Sequence, residues 1–335
     1  MVCLFGRTIH NNLKLLLNNS STVSHARWQR YPIQDLYHEV VGYPTFKSLE
    51  ASLMKPTSVA ALGLFRSHFA GYLRDVRLST REEIDLADFL TTEGVLLRPD
   101  GRKPVYHMAS PLLDGYIRSS ILPAKFSRTP SITPPTQIKN SRATLHVLEV
   151  LKGSLKYFDK DTIRLAVSRS YKTALVKVGS LSSAPVARES VYDTELIGIL
   201  SNWLQVNTGW SVTGQWHLRN ALDKHKYTNV VLQKDKNPMI LFELLATGTP
   251  SVIRSHIEKT PEYKFLLAAD EAWVVHFTCQ DDFRPTWQSD ADLDAGVNVV
   301  HFAHDIGFTR VQMSARFKDA VGNVTLIADE LLSGI

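Results

Sequence analysis

The chain has 335 residues, a formal net charge of +5, 44% hydrophobic and 21% charged residues, and a mean hydropathy of -0.10. Its length predicts two domains or three small ones, and its apolar content excludes a disordered chain. No apolar run approaches the roughly 18 residues of a membrane helix, and two cysteines, Cys3 and Cys279, are too few for a disulfide scaffold or a zinc cluster, which favours a reducing, intracellular compartment.

The first 32 residues are polar and weakly patterned, so we expect a loose leader there. The apolar run from Leu15 to Leu17 is shorter than the ~7 to 15 residues of a signal-peptide core. The sequence therefore indicates no classical secretory signal.

Residues 33–122 combine helical periodicity with a hairpin signal. Apolar residues recur at helical spacing from Thr57 to Arg77, and a second helix begins at Thr80. Residues 94–110 form two extended segments joined by Pro99-Asp100-Gly101. Helices followed by a basic hairpin predict a helical, winged-helix-like domain.

A linker over residues 123–142 separates this domain from basic helices, because four prolines and few apolar residues lie in residues 122–142. Helices are predicted from Ala143 to about Tyr157 and from Lys160 to about Tyr171. The candidates for phosphate contacts are Lys152, Lys156, Lys160, Arg164 and Arg169. These charges predict a nucleic acid as the partner, with DNA favoured over RNA. A solvated helix face explains the same charges equally well.

Residues 143–335 form the second predicted domain, and its last part is acidic, since residues 261–335 carry 5 basic and 12 acidic residues. A helix from Val191 to Gln205 begins its core. The remaining elements are strands at 210–218, 227–233 and 239–245, a helix from Thr249-Pro250 that restarts at Thr260-Pro261, and strands at 272–278, 297–303 and 308–317. This order predicts an α/β core with a mixed sheet in a chain that is α+β as a whole. The repeated Val-Val-His-Phe at 274–277 and 299–302 predicts two central strands.

Glu243 is the candidate for chemistry, because it lies inside the apolar strand from Met239 to Leu245. A carboxylate buried there costs several kcal/mol unless it meets a cation or hydrogen-bond donors. A metal-dependent nuclease needs such carboxylates on neighbouring strands to hold the ion that activates water. The structural alternative is an ion pair with Arg254 or His256.

Residues 188–280 resemble the PD-(D/E)XK restriction-endonuclease-like nucleases, and among them the nuclease domains of Crinkler-type effectors. The motif Glu243-Leu244-Leu245-Ala246-Thr247-Gly248, followed by His256-Ile257-Glu258-Lys259 and Tyr263, carries the resemblance. The resemblance implies a restriction-endonuclease-like fold and Mg²⁺ or Mn²⁺ held by Glu195, Asn229 and Glu243. It also implies catalytic roles for Glu243, His256 and Lys259, with Tyr263 supporting them.

Two positions depart from the family pattern. Asn229 stands where the second strand has an Asp, and Leu245 stands where a Lys follows the Glu. Lys226, Arg254, His256 or Lys259 could supply the positive charge instead. Asn229 and Glu243 share a sheet face only if paired residue numbers in their strands sum to an even number, as a five-residue turn at 234–238 would give.

Other patterns are weaker. Residues 33–125 resemble the helical and winged-helix segment that follows P-loop ATPase domains, but no GxxxxGK(S/T) motif occurs, so we expect no nucleotide hydrolysis. His301, His304 and Asp305 look like metal ligands, yet residues i and i+3 of a strand point to opposite faces. Four of the six tryptophans, at 210, 216, 273 and 287, are expected in the core rather than stacked on bases.

The leading hypothesis is a metal-dependent endonuclease-like protein that hydrolyses phosphodiester bonds in nucleic acid. The alternative is a catalytically inactive nuclease-fold module that binds nucleic acid or a host protein. A third is a regulatory remnant that acts through protein contacts alone. The Crinkler resemblance implies secretion and a host-nuclear site of action by analogy only.

Overall fold

The computed structural model describes residues 42–99, 104–139, 142–168, 170, 172–205, 208–219, 225–234 and 239–335. The predicted leader lies outside these residues. The chain forms two compact units, Met1–Ser58 and Val59–Ile335. In the first unit, α1 (Pro44–Leu53) is followed by a 3₁₀ turn at Pro56–Ser58. Within the described ranges, no helix is both long enough and apolar enough to span a bilayer.

The second unit begins with short helices and a small sheet. The helices are α2 (Val59–Leu64), extended by a π-helical turn at Phe65–Phe69, α3 (Arg81–Thr92), α4 (Pro111–Tyr116), extended by a π-helical turn at Ile117–Ile121, and α5 (Leu122–Lys125). The strands are β1 (Val76–Arg77), β2 (Leu96–Leu97) and β3 (Val105–Met108), in the order β1-β3-β2. The predicted hairpin is therefore the β2–β3 pair, although its tip lies outside the described residues. Only α3 lies between β1 and β2, and the winged helix stays a prediction.

The segment expected to be a linker contains a hairpin, because β4 (Thr136–Lys139) pairs antiparallel with β5 (Arg142–Leu145). The next helix therefore begins later than expected, and α6 (Val147–Leu155) is followed by α7 (Lys160–Ser168). The strands β6 (Lys177–Val178) and β7 (Leu181–Ser182) form a second small hairpin. The compact unit from Val59 to Ile335 includes all of these elements.

A mixed sheet forms the centre of this unit, as expected, and it has seven strands, one more than the sequence predicted. After α8 (Glu189–Leu200) and a π-helical turn at Ser201–Gln205, the elements are β8 (Ser211–Arg219), β9 (His225–Gln233), β10 (Ile240–Ala246), α9 (Pro250–Leu267), β11 (Glu271–Thr278), α10 (Asp290–Asp294), β12 (Val297–His304), β13 (Val311–Lys318) and β14 (Val324–Leu331). The spatial order is β14-β13-β12-β11-β10-β9-β8. Only the β10–β11 and β11–β12 pairs are parallel.

Each face of the sheet packs against a different helix. Even-numbered residues of β10, such as Phe242 and Leu244, join the cluster that contains Leu196 and Leu200 of α8. Odd-numbered residues of β10 join the cluster that α9 covers. Because β10 is buried on both faces, its sequence is a nearly continuous apolar run. Glu243 therefore faces α9.

Helix α9 is one continuous helix of 18 residues, although a restart was expected at Thr260-Pro261. Pro261 removes a single backbone donor. Buried side chains on both sides of the proline, Ile257 and Tyr263, pack against the sheet and keep the helix together. The expected start is present, since the Thr249 hydroxyl accepts a hydrogen bond from the Val252 amide.

The registers decide which residues share a face. In the β9–β10 pair, Leu232 lies opposite Ile240 and Val230 lies opposite Phe242, so paired numbers sum to an even number. Asn229 and Glu243 therefore lie on the same face, which the nuclease hypothesis requires; residues 235–238 of the intervening turn lie outside the described residues. In the parallel β11–β12 pair, His276 lies opposite His301, so the two Val-Val-His-Phe copies are neighbouring central strands.

Candidate active site where strands β9 and β10 separate

Residues of α9 hold one oxygen of the buried Glu243 carboxylate. Its residue surface is only 2% exposed. Oε1 lies 2.6 Å from Lys259 Nζ and 2.9 Å from His256 Nδ1. Oε2 is buried, and no described residue forms a hydrogen bond with it. The His256 contact matches the structural alternative of an ion pair, but that alternative leaves Oε2 unexplained.

Lys259 and His256 reach the same carboxylate because residues three apart lie on one face of a helix. The same face carries Tyr263, whose ring centroid lies 5.6 Å from Lys259 Nζ. Burial raises the pKa of Tyr263 to about 12, and the negative charge of Glu243 adds to this. Three residues expected near Glu243 are therefore present around it.

Asn229 lies where the β9–β10 ladder ends. Its Oδ1 accepts a hydrogen bond from the Leu244 amide at 2.7 Å, and its Nδ2 donates to Glu189 Oε1 at 2.6 Å. The Asn229 side chain thus takes the place of the next backbone hydrogen bond between β9 and β10. Through Glu189 it also links these two strands to the start of α8.

Glu189 lies beside Asn229, and the sequence did not single it out. It is the first residue of α8, and burial raises its pKa to about 7. Its bond from Asn229 lowers the pKa, whereas the charge of Glu243 raises it further. Two carboxylates and an amide therefore converge. The available sequence signal was an acidic residue in the first turn of a helix, which is common for electrostatic reasons alone.

Glu195, expected to be a metal ligand, lies in another cluster. Its carboxylate pairs with Arg66 and accepts a hydrogen bond from the Asp159 amide. Six residues of helix separate Glu189 from Glu195, which corresponds to about 240° of rotation and ~9 Å of rise. The two carboxylates therefore cannot serve one site, and the carboxylate of α8 that lies beside Asn229 is that of Glu189.

A divalent ion fits the group partly. Among the described residues, no three His, Cys, Asp or Glu side chains form a cluster that could hold a metal. Asn229 would have to supply the third oxygen, and in the structure that oxygen accepts the Leu244 amide. Carboxylate and amide oxygens are the ligands that Mg²⁺ prefers. The buried, unpartnered Oε2 of Glu243 and the raised pKa of Glu189 are both features that a bound cation would offset.

Lys172 adds a second lysine next to the site. Its Nζ donates to the carbonyl oxygen of Ala246 at 2.5 Å. Burial lowers the pKa of Lys172, and the charge of Glu189 opposes that effect. Of the other cations that the sequence offered, Arg254 is exposed, and the side chain of Lys226 lies outside the described residues.

The predicted phosphate-binding residues lie on α6 and α7, and two of them already have acidic partners. Lys152 pairs with Glu149 and Glu330, and Arg164 pairs with Asp161. Lys156 is exposed, Lys160 begins α7, and Arg169 lies outside the described residues. Local acidic groups therefore balance part of this surface.

The remaining candidates are structural. His301 contacts His276 on one face of the sheet. On the other face, His304 Nε2 accepts a hydrogen bond from the Tyr192 hydroxyl, because Nδ1 donates to the Asp305 carbonyl oxygen. Trp210 and Trp273 are buried, as expected for core residues. Trp287 packs against the α9 cluster, and the side chain of Trp216 lies outside the described residues.

Known proteins do not identify the family of this chain. No family model and no curated protein matches the chain. One solved structure, Can2 from Sulfobacillus thermosulfidooxidans in complex with cyclic tetra-adenylate, is 10% identical with a TM-score of 0.23. The match covers 79% of this chain and 55% of that one, so the chain spans about half the length of that protein. A TM-score this low does not establish a common fold.

Proposed function

We propose that the chain is a metal-dependent, endonuclease-like phosphodiesterase whose ion is held by Glu189, Asn229 and Glu243. The observation that carries the proposal is the carboxylate of Glu243. Lys259 and His256 anchor it through Oε1, whereas Oε2 is buried and has no partner in the described part of the chain. A divalent cation would satisfy that oxygen and relieve the repulsion from Glu189.

The ion would activate water and neutralise charge on the phosphate. The protein's own residues have separate tasks. Lys259 carries a positive charge that can stabilise the developing charge of the transition state. His256 donates Nδ1–H to Glu243, which leaves Nε2 as the acceptor that can take a proton from water.

The departure at Leu245 supports the same assignment. Leu245 is buried in the cluster beneath α9, so this position packs the helix onto the sheet. Lys259, which comes from that helix, supplies the charge that the family pattern places two residues after the Glu. The element order from α8 to β11 is the one that the restriction-endonuclease-like proposal requires.

The first prediction concerns Glu243. Incubation with supercoiled plasmid and Mn²⁺ or Mg²⁺ should give nicked and linear DNA, and Glu243→Gln should reduce the rate by at least about a hundredfold. Glu258→Gln is the matched control, because Glu258 lies on the exposed side of α9. Equal cleavage by Glu243→Gln and the control, or none by the native protein in either metal, would contradict the proposal.

An inactive nuclease-fold module that binds nucleic acid or a host protein is the second candidate. It is favoured by Asn229, whose amide is engaged by both Leu244 and Glu189 and binds a metal more weakly than a carboxylate. In that case the same surface would bind its partner without cleaving it.

The second prediction separates the two candidates. Asn229→Asp adds a carboxylate beside Glu189 and Glu243, so the melting temperature should fall without metal and recover with Mg²⁺. Metal affinity and cleavage should rise. If Mg²⁺ does not change the melting temperature of Asn229→Asp, the inactive module is favoured.

The finer assignments rest on the sequence alone, that is, on its basic helices and on its resemblance to a nuclease family. We propose DNA as the substrate, with α6 and α7 contacting its phosphates. Membership of the Crinkler-type effectors, secretion and action in a host nucleus are proposals of the same kind.

A further inference from the structure

The two Val-Val-His-Phe segments place a pair of histidines inside the sheet. His276 of β11 and His301 of β12 are directly opposite in the parallel ladder, and their residue surfaces are 0% and 1% exposed. Their Nδ1 atoms lie 3.1 Å apart. His276 also lies opposite Leu245 of β10, on the face that carries Glu243.

The hydrogen bonds around this pair allow only one arrangement of protons. The Gly248 amide donates to His276 Nε2 at 3.3 Å, so the ring proton of neutral His276 is on Nδ1. That proton is donated to His301 Nδ1. His301 then carries its proton on Nε2, which donates to the Thr286 carbonyl oxygen at 2.9 Å.

Both rings are neutral in this arrangement. Burial lowers the pKa of His276 well below its ordinary value, and the charges of His301, Lys172, His256 and His304 act in the same direction. Burial also lowers the pKa of His301 to about 4, against the raising effect of its bond to Thr286. The chain of hydrogen bonds therefore persists at neutral pH.

The chain of hydrogen bonds ends on the turn that connects Glu243 to α9. Thr247 has a φ of +40°, and its amide is held by the Phe277 carbonyl at 2.7 Å. Gly248 follows, and a Cβ there would lie 3.1 Å from Leu245 and 3.2 Å from Val252. The cap of α9 begins at the next residue, so the Gly248 amide is the last anchor before the helix.

We infer that His276 and His301 are positioning residues of the active site, which fix the Gly248 amide and hence the place from which α9 presents His256 and Lys259 to Glu243. His256 lies roughly 9 Å along the helix from its start, so a small tilt at the turn becomes a large displacement at the site. Displacements of about 1 Å can cost a hundredfold in rate. The inference rests on the proposed function only for its effect on cleavage.

The proton arrangement can be tested without any activity. In protein labelled with ¹⁵N-histidine, His276 should be protonated at Nδ1 and His301 at Nε2, with a coupling between the two Nδ1 nitrogens across the N–H···N bond. A spectrum in which both rings carry the proton on Nε2 would overturn the inference.

Two variants of His276 then separate positioning from packing. In His276→Gln the amide oxygen can reach the position of Nε2 and accept from Gly248, whereas in His276→Asn the shorter side chain reaches only the position of Nδ1. Exchange of the Gly248 amide should stay slow in His276→Gln and become at least about tenfold faster in His276→Asn. Cleavage should fall at least about tenfold in His276→Asn only.

His304→Asn is the matched control, because His304 is a buried histidine of β12 that faces away from the site. It should lose stability but keep its cleavage rate per folded molecule. Cleavage that falls in proportion to stability in all three variants would overturn the inference. If the native protein cleaves no nucleic acid but its Gly248 amide exchanges slowly, the proposed function is refuted. The inference that the histidines anchor the turn then still holds.

Discussion

Glu189 and Glu195 illustrate what single residues reveal in a sequence. Both are acidic residues of the same helix, and the sequence favoured Glu195, which the structure places in another cluster, because local spacing does not identify a partner. Arg66, 129 residues earlier, captures Glu195. Glu243 was predictable, since a charge inside an apolar strand needs compensation, and His256 and Lys259 follow it at spacings that one helix brings to one face.

The third prediction concerns the buried histidines. Burial lowers the pKa of His301 and His304 to about 4, whereas an unfolded histidine titrates near ~6.5. The unfolded chain binds these protons first, so stability is fully present above about pH 6.5. It is lost progressively as the pH falls from about 6.5 to about 4, by roughly 3 kcal/mol for each histidine.

Denaturant unfolding between pH 7 and pH 4.5 measures this loss. His304→Gln removes one titrating group without touching the His276–His301 pair, so its stability should change less with pH than that of the native protein. Identical pH dependences would mean that His304 is not buried in its neutral form.

The elements of the core were predictable because their periodicities are strong. The central strands β10, β11 and β12 match the expected ranges within one or two residues. Two features were missed. The β4–β5 hairpin lies in a proline-rich segment that suggested a linker, and β14 alternates exposed and half-buried residues without a continuous apolar run. Both depend on pairing with other segments more than on local propensity.

The fourth prediction concerns α6 and α7 as a nucleic-acid surface. Charge reversal at Lys156, Lys160 and Arg164 together should weaken DNA binding and flatten its salt dependence by about 0.9 in slope for each lost phosphate contact. Lys152→Glu should have a smaller effect, because Glu149 and Glu330 already balance that charge. Fluorescence anisotropy at several salt concentrations measures both. An unchanged slope in the triple variant would mean that these side chains form a solvent-exposed helix face and do not contact DNA.

Across the whole molecule, buried ion pairs join the early helices to α8. Arg118 pairs with Asp193, and its Nε donates to Thr194 at 3.0 Å. Arg66 pairs with Glu195 and, at 3.1 Å, with Asp159. These pairs cross the segment expected to be a linker, which accounts for the single compact unit from Val59 to Ile335. These contacts join residues that are 75 to 129 positions apart, so the local periodicity of the sequence cannot predict them.

The same ion pairs make Glu195 the natural control for the central claim, that Glu189 and Glu243 hold a divalent ion. The fifth prediction is a calorimetric titration of Mn²⁺ into the native protein, Glu189→Gln and Glu195→Gln. Glu195→Gln should unfold more easily, by about 3 kcal/mol or more, because it leaves Arg66 buried with one partner fewer. Its metal affinity should be unchanged.

Glu189→Gln should instead keep or gain stability without metal, since the mutual repulsion of two buried carboxylates disappears, and should lose most of its Mn²⁺ affinity. The account predicts binding by the native protein and Glu195→Gln, with little or none by Glu189→Gln. Equal Mn²⁺ affinity in all three proteins, or none in the native protein, would contradict it.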